Sequence, residues 1–166
     1  MSVETIAANP QTRRIVLLQK LGGVPDRISA IIAVVPEAAH IWRPAAEAWS
    51  ISHTVAHLSA AHEPFQQRLM RIASEDNPTV PYFGPDTARP DFTKPLPELM
   101  VGFRKQRAAF LAFLAEVAPA VWRKPAVHAV YGPTTFAQQV QLISDHDAEH
   151  VDQIGAVVAR WQAAHA

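Results

Sequence analysis

The stretch SDHDAEHVDQI, residues 144–154, decides how the chain is expected to fold. Its two histidines, His146 and His150, are four residues apart, and Ile143 and Ile154 flank them at helical spacing. Residues four apart on a helix differ by about 40° around the axis and by about 6 Å along it. The two imidazoles therefore point the same way, from a helix whose apolar side faces a core.

Four long helices are predicted, separated by proline-rich breaks. One lies between Pro25 and Pro36, and a second is capped by Ser50 or Ser52. The third covers residues 95–119, and the last follows a cap at Thr134 or Thr135. Their apolar residues recur at helical spacing. Four helices of this kind predict an all-α fold, a four-helix bundle.

Two further segments complete the predicted architecture. Residues 76–97 contain six prolines, so we expect a long crossover along the bundle, which can also cover one end as a lid. Residues 10–22 start with a proline and stop at two glycines, which predicts an extra short N-terminal helix. Its apolar stripe of Ile15, Leu18 and Leu21 is expected to pack on the bundle or at a homodimer contact.

Bulk composition excludes several functions. The chain has 166 residues, the size of a single domain, and 49% of them are hydrophobic. Fifteen basic and fifteen acidic residues cancel, which argues against nucleic acid as a partner. The absence of cysteine excludes disulfides and a protein thiol nucleophile. Neither a signal peptide nor a run of 18 apolar residues is present, so we expect no membrane segment and a cytoplasmic location.

The paired histidines need a third ligand if they are to hold a metal ion. A single core histidine is usually satisfied by a neighbour, but several buried imidazoles are costly without a common partner. Neutral imidazoles suit zinc, iron or nickel. The second helix offers His53, His57 and His62, and spacing alone leaves the choice among them open.

Two motifs together resemble a known family. The first is WSISHTVAHLSAAHE, residues 49–63, and the second is DHDAEHVDQI about ninety residues later. Their order and spacing resemble the DinB-like (YfiT-like) superfamily of metal-site four-helix bundles. The resemblance covers about residues 24–162, so the chain is expected to be one domain over residues 1–166 with residues 10–22 as an accessory helix.

The resemblance implies a ligand set and a class of activity. A histidine eight residues after Trp49 is the third ligand in that family, which selects His57 beside His146 and His150. Related proteins include thiol-dependent S-transferases and metal-dependent hydrolases, and the family suggests a homodimer. The expected function is therefore that of a divalent-metal-dependent enzyme with a three-histidine site, a low-molecular-weight thiol S-transferase or a related hydrolase. Its substrate is expected to be a small molecule, and in an S-transferase a low-molecular-weight thiol would be a second cofactor.

Several other residues are candidates for a role at this site. Glu63 is a candidate general base if Pro64 kinks the helix, and Gln153 is a candidate to orient a ligand. Arg107 is a candidate for binding a substrate carboxylate, but we favour a structural pairing with an acid such as Asp147. Cofactor-binding candidates are His62 and Tyr131, the latter with His128 at an entrance beside residues 76–97.

Two alternatives to an enzyme stay open from the sequence. One is a non-catalytic, metal-containing helical binding module. The other is a helical interaction protein whose histidines are structural. Metal content separates the second from the other hypotheses, and turnover separates an enzyme from a binding module.

Overall fold

The computed structural model describes residues 9–84 and 90–166 and confirms the predicted four-helix bundle. The long helices are α1 (Pro10–Ile32), α2 (Ile51–Ser74), α3 (Leu96–Glu116) and α4 (Phe136–Ala164). Short 3-10 helices cover Glu37–His40 and Val121–Arg123.

Polar side chains fix where three of the long helices begin. Asn9 Oδ1 accepts from the backbone N–H of Gln11 at 2.9 Å. Ser50 Oγ accepts from the backbone N–H of His53 at 3.2 Å, and Thr135 caps α4 in the same way. These bonds satisfy amide groups that the first turn of a helix leaves free. Of the predicted alternatives, Ser50 and Thr135 are the caps.

Two apolar clusters fill the bundle, one towards each end. The first cluster contains Val24, Ile28, Ile51, Val55, Ala56, Leu58, Leu96, Leu99, Met100, Phe103, Val151, Ile154, Val157 and Val158. The second contains Leu17, Leu21, Leu69, Ile72, Val80, Phe110, Leu114, Trp122, Ala126, Phe136, Val140 and Ile143. Every long helix contributes to both clusters, so each one runs past the middle of the bundle.

The order in which the helices reach the clusters gives their directions. α2 passes from the first cluster at Leu58 to the second at Leu69, and α3 does the same from Phe103 to Phe110. These two helices are parallel neighbours, while α1 and α4 run the opposite way. A tight turn cannot join parallel neighbours, so the connection from α2 to α3 is a crossover, as predicted. Residues 85–89 of it lie outside the described part.

The predicted accessory helix at 10–22 is wrong as a separate element, because α1 continues from Pro10 to Ile32. Pro25 lacks the N–H that would bond the Leu21 carbonyl, and the Arg107 guanidinium donates to that carbonyl instead, at 3.2 Å. A side chain at Gly22 would meet Leu111 at 3.3 Å, so the glycine allows a close approach of α3. Residues 10–22 are thus the first half of a bundle helix.

A small three-stranded sheet was not predicted. β1 (Thr79–Val80) pairs in parallel with β2 (Pro125–His128), which pairs antiparallel with β3 (Gly132–Thr135). The segment before α4 is therefore a hairpin, in which Gly132 has φ of +72°. Val80 and Ala126 of this sheet belong to the second apolar cluster.

In residues 9–84 and 90–166, no helix combines the length and the apolar character that crossing a membrane requires.

Candidate metal centre

Three histidines from two helices meet in the middle of the bundle. His57 comes from α2, and His146 and His150 come from successive turns of α4. One ring nitrogen of each lies within 4.8 Å of those of the other two. His57 is 7% exposed, and the other two are half-buried. The structure thus places together the three residues that the sequence predicted as metal ligands.

The spacing of the ring nitrogens fits a divalent ion. His57 Nε2 and His146 Nε2 face each other at 3.1 Å. Two nitrogens bound to tetrahedral zinc at about 2.0–2.1 Å lie about 3.4 Å apart, so a small shift accommodates an ion. The set is composed of three nitrogens, which suits zinc, iron or nickel.

Two neighbours hold the α4 histidines in the tautomer that ligation needs. His150 Nδ1 donates to Gln153 Oε1 at 2.8 Å, and His146 Nδ1 donates to Asp147 Oδ1 at 3.3 Å. With the protons on Nδ1, both Nε2 atoms keep a free lone pair. Gln153 therefore contacts a candidate ligand ring, in the orienting role considered from the sequence.

Burial keeps two of the imidazoles neutral at pH 7. Burial, and after it the charge on His150 and His146, lowers the pKa of His57 to about 4. The pKa of His150 is lowered by burial and then by charge on His146. Because a protonated imidazole cannot ligate, these shifts favour metal binding near neutral pH.

An aromatic cavity of about 150 Å³ opens beside the three histidines. Trp49 stacks on the His150 ring with centroids 5.8 Å apart, and Phe65 lies edge-on to His146 at 5.1 Å. Tyr82 and Phe83, from the crossover, line the same cavity. The crossover thus reaches the site in the middle of the bundle, whereas the lid considered from the sequence would cover one end. We call this space the aromatic cavity.

A second, more polar cavity reaches the site from the other side of Trp49. Its volume is about 460 Å³, and Trp49, His150 and Gln153 line it together with Glu47 and Arg160. Since Trp49 and His150 line both cavities, the two spaces meet at one edge of the histidine group. We call this second space the polar cavity.

Arg107 takes part in a buried polar layer between the two apolar clusters. Its guanidinium contacts Asp147 Oδ2 at 2.6 Å, and each side chain is 3% exposed. Burial opposes ionisation, yet the bonds from His146 and Arg107 hold the pKa of Asp147 below its ordinary value. The structural pairing that we favoured for Arg107 is confirmed, and its guanidinium is not free for a substrate.

His62 belongs to the same polar layer. It is 8% exposed, its Nδ1 donates to the Leu58 carbonyl at 3.0 Å, and its Nε2 accepts from Arg107 Nε at 3.1 Å. Both ring nitrogens are therefore taken up inside the protein. This differs from the expected cofactor-binding role, and its physical reason is that the ring sits between Phe103 and Phe110.

The remaining candidates are divided between surface and entrance. α2 continues through Pro64 without turning Glu63 inward, and exposed Glu63 accepts from Gln67 at 3.0 Å, which corrects its candidacy as general base. His53 bonds Ser50 and Arg43, away from the other imidazoles. Tyr131 stacks on His128 at 4.7 Å, and both line a further cavity that includes His146.

Several aromatic and cationic side chains that line the site were not predicted from the sequence. Trp49 belongs to the first family motif but was given no place at the site, and Phe65, Phe83 and Arg68 were not singled out. A signal existed for Arg68, because it follows His57 by 11 residues, which is about three helical turns and returns to the same face. No comparable signal existed for Phe83, since it lies in an irregular segment.

The comparisons with known proteins agree with this geometry. A family model for the DinB superfamily matches residues 20–154. The fold is similar to that of YfiT from Bacillus subtilis, which is described as a probable metal-dependent hydrolase with an unusual four-helix bundle topology. That likeness has a TM-score of 0.72 and 15% sequence identity, and it covers 90% of this chain and 87% of YfiT. The comparison with curated proteins gave no significant match.

Proposed function

Because the chain belongs to the DinB superfamily, we propose that it is a metal-dependent hydrolase of a small molecule. Its divalent ion is held by His57, His146 and His150. The observation that carries the proposal is that their ring nitrogens converge within 4.8 Å beside an aromatic cavity. The description of YfiT as a probable metal-dependent hydrolase supports the choice of reaction class.

The residues around the ion would each have a defined task. When bound by three imidazoles, a divalent ion acts as a Lewis acid with positions left for a substrate or water. Asp147 and Gln153 hold the Nδ1 protons of the α4 histidines and so present their Nε2 atoms. Trp49 and Phe65 pack against the rings and keep bulk water from them.

S-transfer from a low-molecular-weight thiol is a second candidate. The observation in its favour is that the aromatic and polar cavities meet at His150, which leaves room for two reactants. Since the chain has no cysteine, the thiol would come from outside the protein. Glu47 and Arg160 give the polar cavity the charges that an amino-acid-like thiol would need.

Metal content of histidine variants tests the ligand set. We expect untagged wild-type protein to hold one divalent ion per chain, measured by plasma mass spectrometry. His57→Ala should lose it, because two imidazoles remain. His53→Ala is the matched control, since His53 lies four residues earlier on the same helix and bonds Ser50 and Arg43 instead. Metal retained by His57→Ala and lost by His53→Ala would show that the third ligand is wrong.

Turnover assays then separate the reaction classes. Hydrolysis of 4-nitrophenyl acetate that depends on added zinc, nickel or iron supports the hydrolase. Transfer of a thiol to chlorodinitrobenzene without hydrolysis supports S-transfer. Bound metal without either reaction would favour a non-catalytic binding module. The homodimer stays a prediction, which the mass in solution tests.

A further inference from the structure

Arg68 is a buried cation that has no acidic partner within residues 9–84 and 90–166. The residue is 5% exposed, so its guanidinium is almost completely removed from solvent. No carboxylate of the described chain lies within ion-pairing distance of it, whereas Arg107, equally buried, contacts Asp147. Buried charges in proteins are normally paired, so Arg68 requires an explanation.

Neutral groups hold the Arg68 side chain in place. Its guanidinium donates to Gln139 Oε1 at 3.1 Å and to the Pro81 carbonyl at 3.0 Å. It lies 4.6 Å from the centre of the Phe83 ring and 5.6 Å from that of Phe65. These contacts position the cation, but none of them neutralises its charge.

Part of the hydrogen-bonding capacity of Arg68 is unused. Its Nε is buried and has no partner among the described residues. Burial lowers the pKa of Arg68 to about 10, which still leaves the side chain charged at neutral pH. The site therefore carries a fixed positive charge that a bound anion would compensate.

Arg68 lines a cavity that adjoins the candidate metal centre. This space has a volume of about 240 Å³, and His146 lines it as well. It shares Phe65, Tyr82 and Phe83 with the aromatic cavity. A small molecule can therefore place one end near Arg68 and the other near the three histidines. We call this space the arginine cavity.

His128 supplies a second buried donor in the arginine cavity. It is 1% exposed, and its Nδ1 accepts from the backbone N–H groups of Val130 and Tyr131, both at 3.2 Å. The ring proton is therefore on Nε2. Burial and the charge on Arg68 lower the pKa of His128, so the ring stays a neutral donor at pH 7.

We propose that the arginine cavity binds a carboxylate of the substrate, with Arg68 and His128 as its donors. Guanidinium groups match carboxylates in geometry and charge. A carboxylate group fits better than a phosphate group, because phosphate places two negative charges on one group and exposed Asp145 and Glu149 stand on the rim. The substrate class is thus a small carboxylic acid whose scissile bond lies near the histidines. This use in catalysis rests on the proposed function, whereas the binding itself does not.

Calorimetric titration with a matched pair of probes tests the binding. Glutarate and glutaramide have the same carbon skeleton, but only glutarate carries charge. We expect wild-type protein to bind glutarate at least about tenfold more tightly, the size expected for a hydrogen bond to a charged group. The preference should appear in both zinc-loaded and metal-free protein, which excludes binding to the metal alone.

Variants of two arginines on α2 assign the preference to a residue. Arg68→Met should abolish it, and Arg68→Lys should keep part of it, because lysine retains the charge but not the two-pronged geometry. Arg71→Met is the control, since exposed Arg71 pairs with Glu75 at the surface. Circular dichroism verifies that each variant is folded. If Arg68→Met does not fold, the comparison of Arg68→Lys with Arg71→Met carries the test.

Several results would overturn the assignment. Equal affinity for the two probes, or no binding of either at tens of millimolar, means that the arginine cavity does not recognise a carboxylate. If inorganic phosphate binds more tightly than glutarate, the assignment of a carboxylate as the bound anion is wrong. A preference for glutarate in a protein that shows no hydrolysis would contradict the proposed function but not this inference. Hydrolysis by a protein that shows no preference would contradict this inference but not the proposed function.

Discussion

Removing either partner of the Arg107–Asp147 ion pair should destabilise the protein strongly. The two side chains contact at 2.6 Å, and each is 3% exposed. Arg107→Met leaves an aspartate buried without a counter-charge and takes the donor from His62 Nε2. Asp147→Asn leaves a buried guanidinium, although the amide oxygen can still accept from His146 Nδ1.

The size of the expected loss of stability depends more on the burial of the two charges than on the distance between them. At 2.6 Å and an effective dielectric constant of about 20, two unit charges attract by about 6 kcal/mol before desolvation is subtracted. Breaking a buried pair by removing one partner typically costs about 3–5 kcal/mol. We expect each single variant to lose about this much free energy of unfolding, and the double variant to lose less than the sum.

The chain provides a control pair of the same geometry. Arg104 lies on the same helix and contacts Asp26 at 2.6 Å, but these side chains are 45% and 79% exposed. Arg104→Met should cost less than about 1 kcal/mol, because water screens an exposed pair. Urea unfolding of metal-free protein, followed by circular dichroism, measures all the variants on one scale.

The same variants have a second readout in metal affinity. Because the charged Asp147 carboxylate raises the basicity of His146 more than a neutral amide does, Asp147→Asn should weaken zinc binding by about 10–100-fold, measured by competition with a chromophoric chelator. Additive losses in the double variant would refute the reasoning about the pair. So would an equal cost for Arg107→Met and Arg104→Met, since burial would then be irrelevant.

Two further predictions concern metal removal and pH. Removing the metal with a chelator should lower the melting temperature, and adding zinc should restore it. The reason is that a ligand at a thousandfold excess over its Kd stabilises the folded state by about 4 kcal/mol. An unchanged melting curve after verified metal removal would contradict this prediction. Burial and then the charge of Arg107 lower the pKa of His62 to about 4, so only the unfolded state binds a proton there between about pH 6.5 and 4. As the pH falls across that window, the titration of His62 should lower the stability of metal-free protein by about 3 kcal/mol. This loss adds to that from His57, whose pKa is also about 4. His62→Gln should lack the His62 contribution, as measured by urea unfolding, and identical pH profiles would show that His62 does not titrate in this way.

The four-helix bundle and the grouping of three histidines could be predicted from the sequence because they depend on local periodicity. Helical spacing alone brings His146 and His150 to one side of α4. It left three histidines of α2 as possible partners, and the family resemblance selected His57. The structure brings that residue next to the other two.

The continuity of α1 was not predictable from local signals. Two glycines followed by Pro25 ordinarily end a helix. Here the carbonyl that Pro25 leaves unbonded accepts from Arg107, which is 86 residues away from Leu21. A contact between residues so far apart in the chain leaves no signal in the local sequence pattern.

The hairpin and the lining of the cavities were missed for related reasons. β2 and β3 have four residues each and contain proline or glycine, so they show no clear alternation of apolar and polar residues. Phe83 reaches the site from the crossover, where no period places it. Arg68 lies on a helical face that the sequence did specify, but charge on a core-facing position was considered only for Arg107.

Arg107 on α3 also joins all four helices, through Leu21 of α1, His62 of α2 and Asp147 of α4. A chain that has collapsed with only three helices would hold this guanidinium in an apolar interior before its counter-charge arrives. The desolvation cost disfavours such an intermediate, so the polar layer links completion of the bundle to docking of α4. Since α4 follows the other three long helices in the chain and also carries His146 and His150, the counter-charge of Arg107 and two of the three candidate ligands arrive with the same helix.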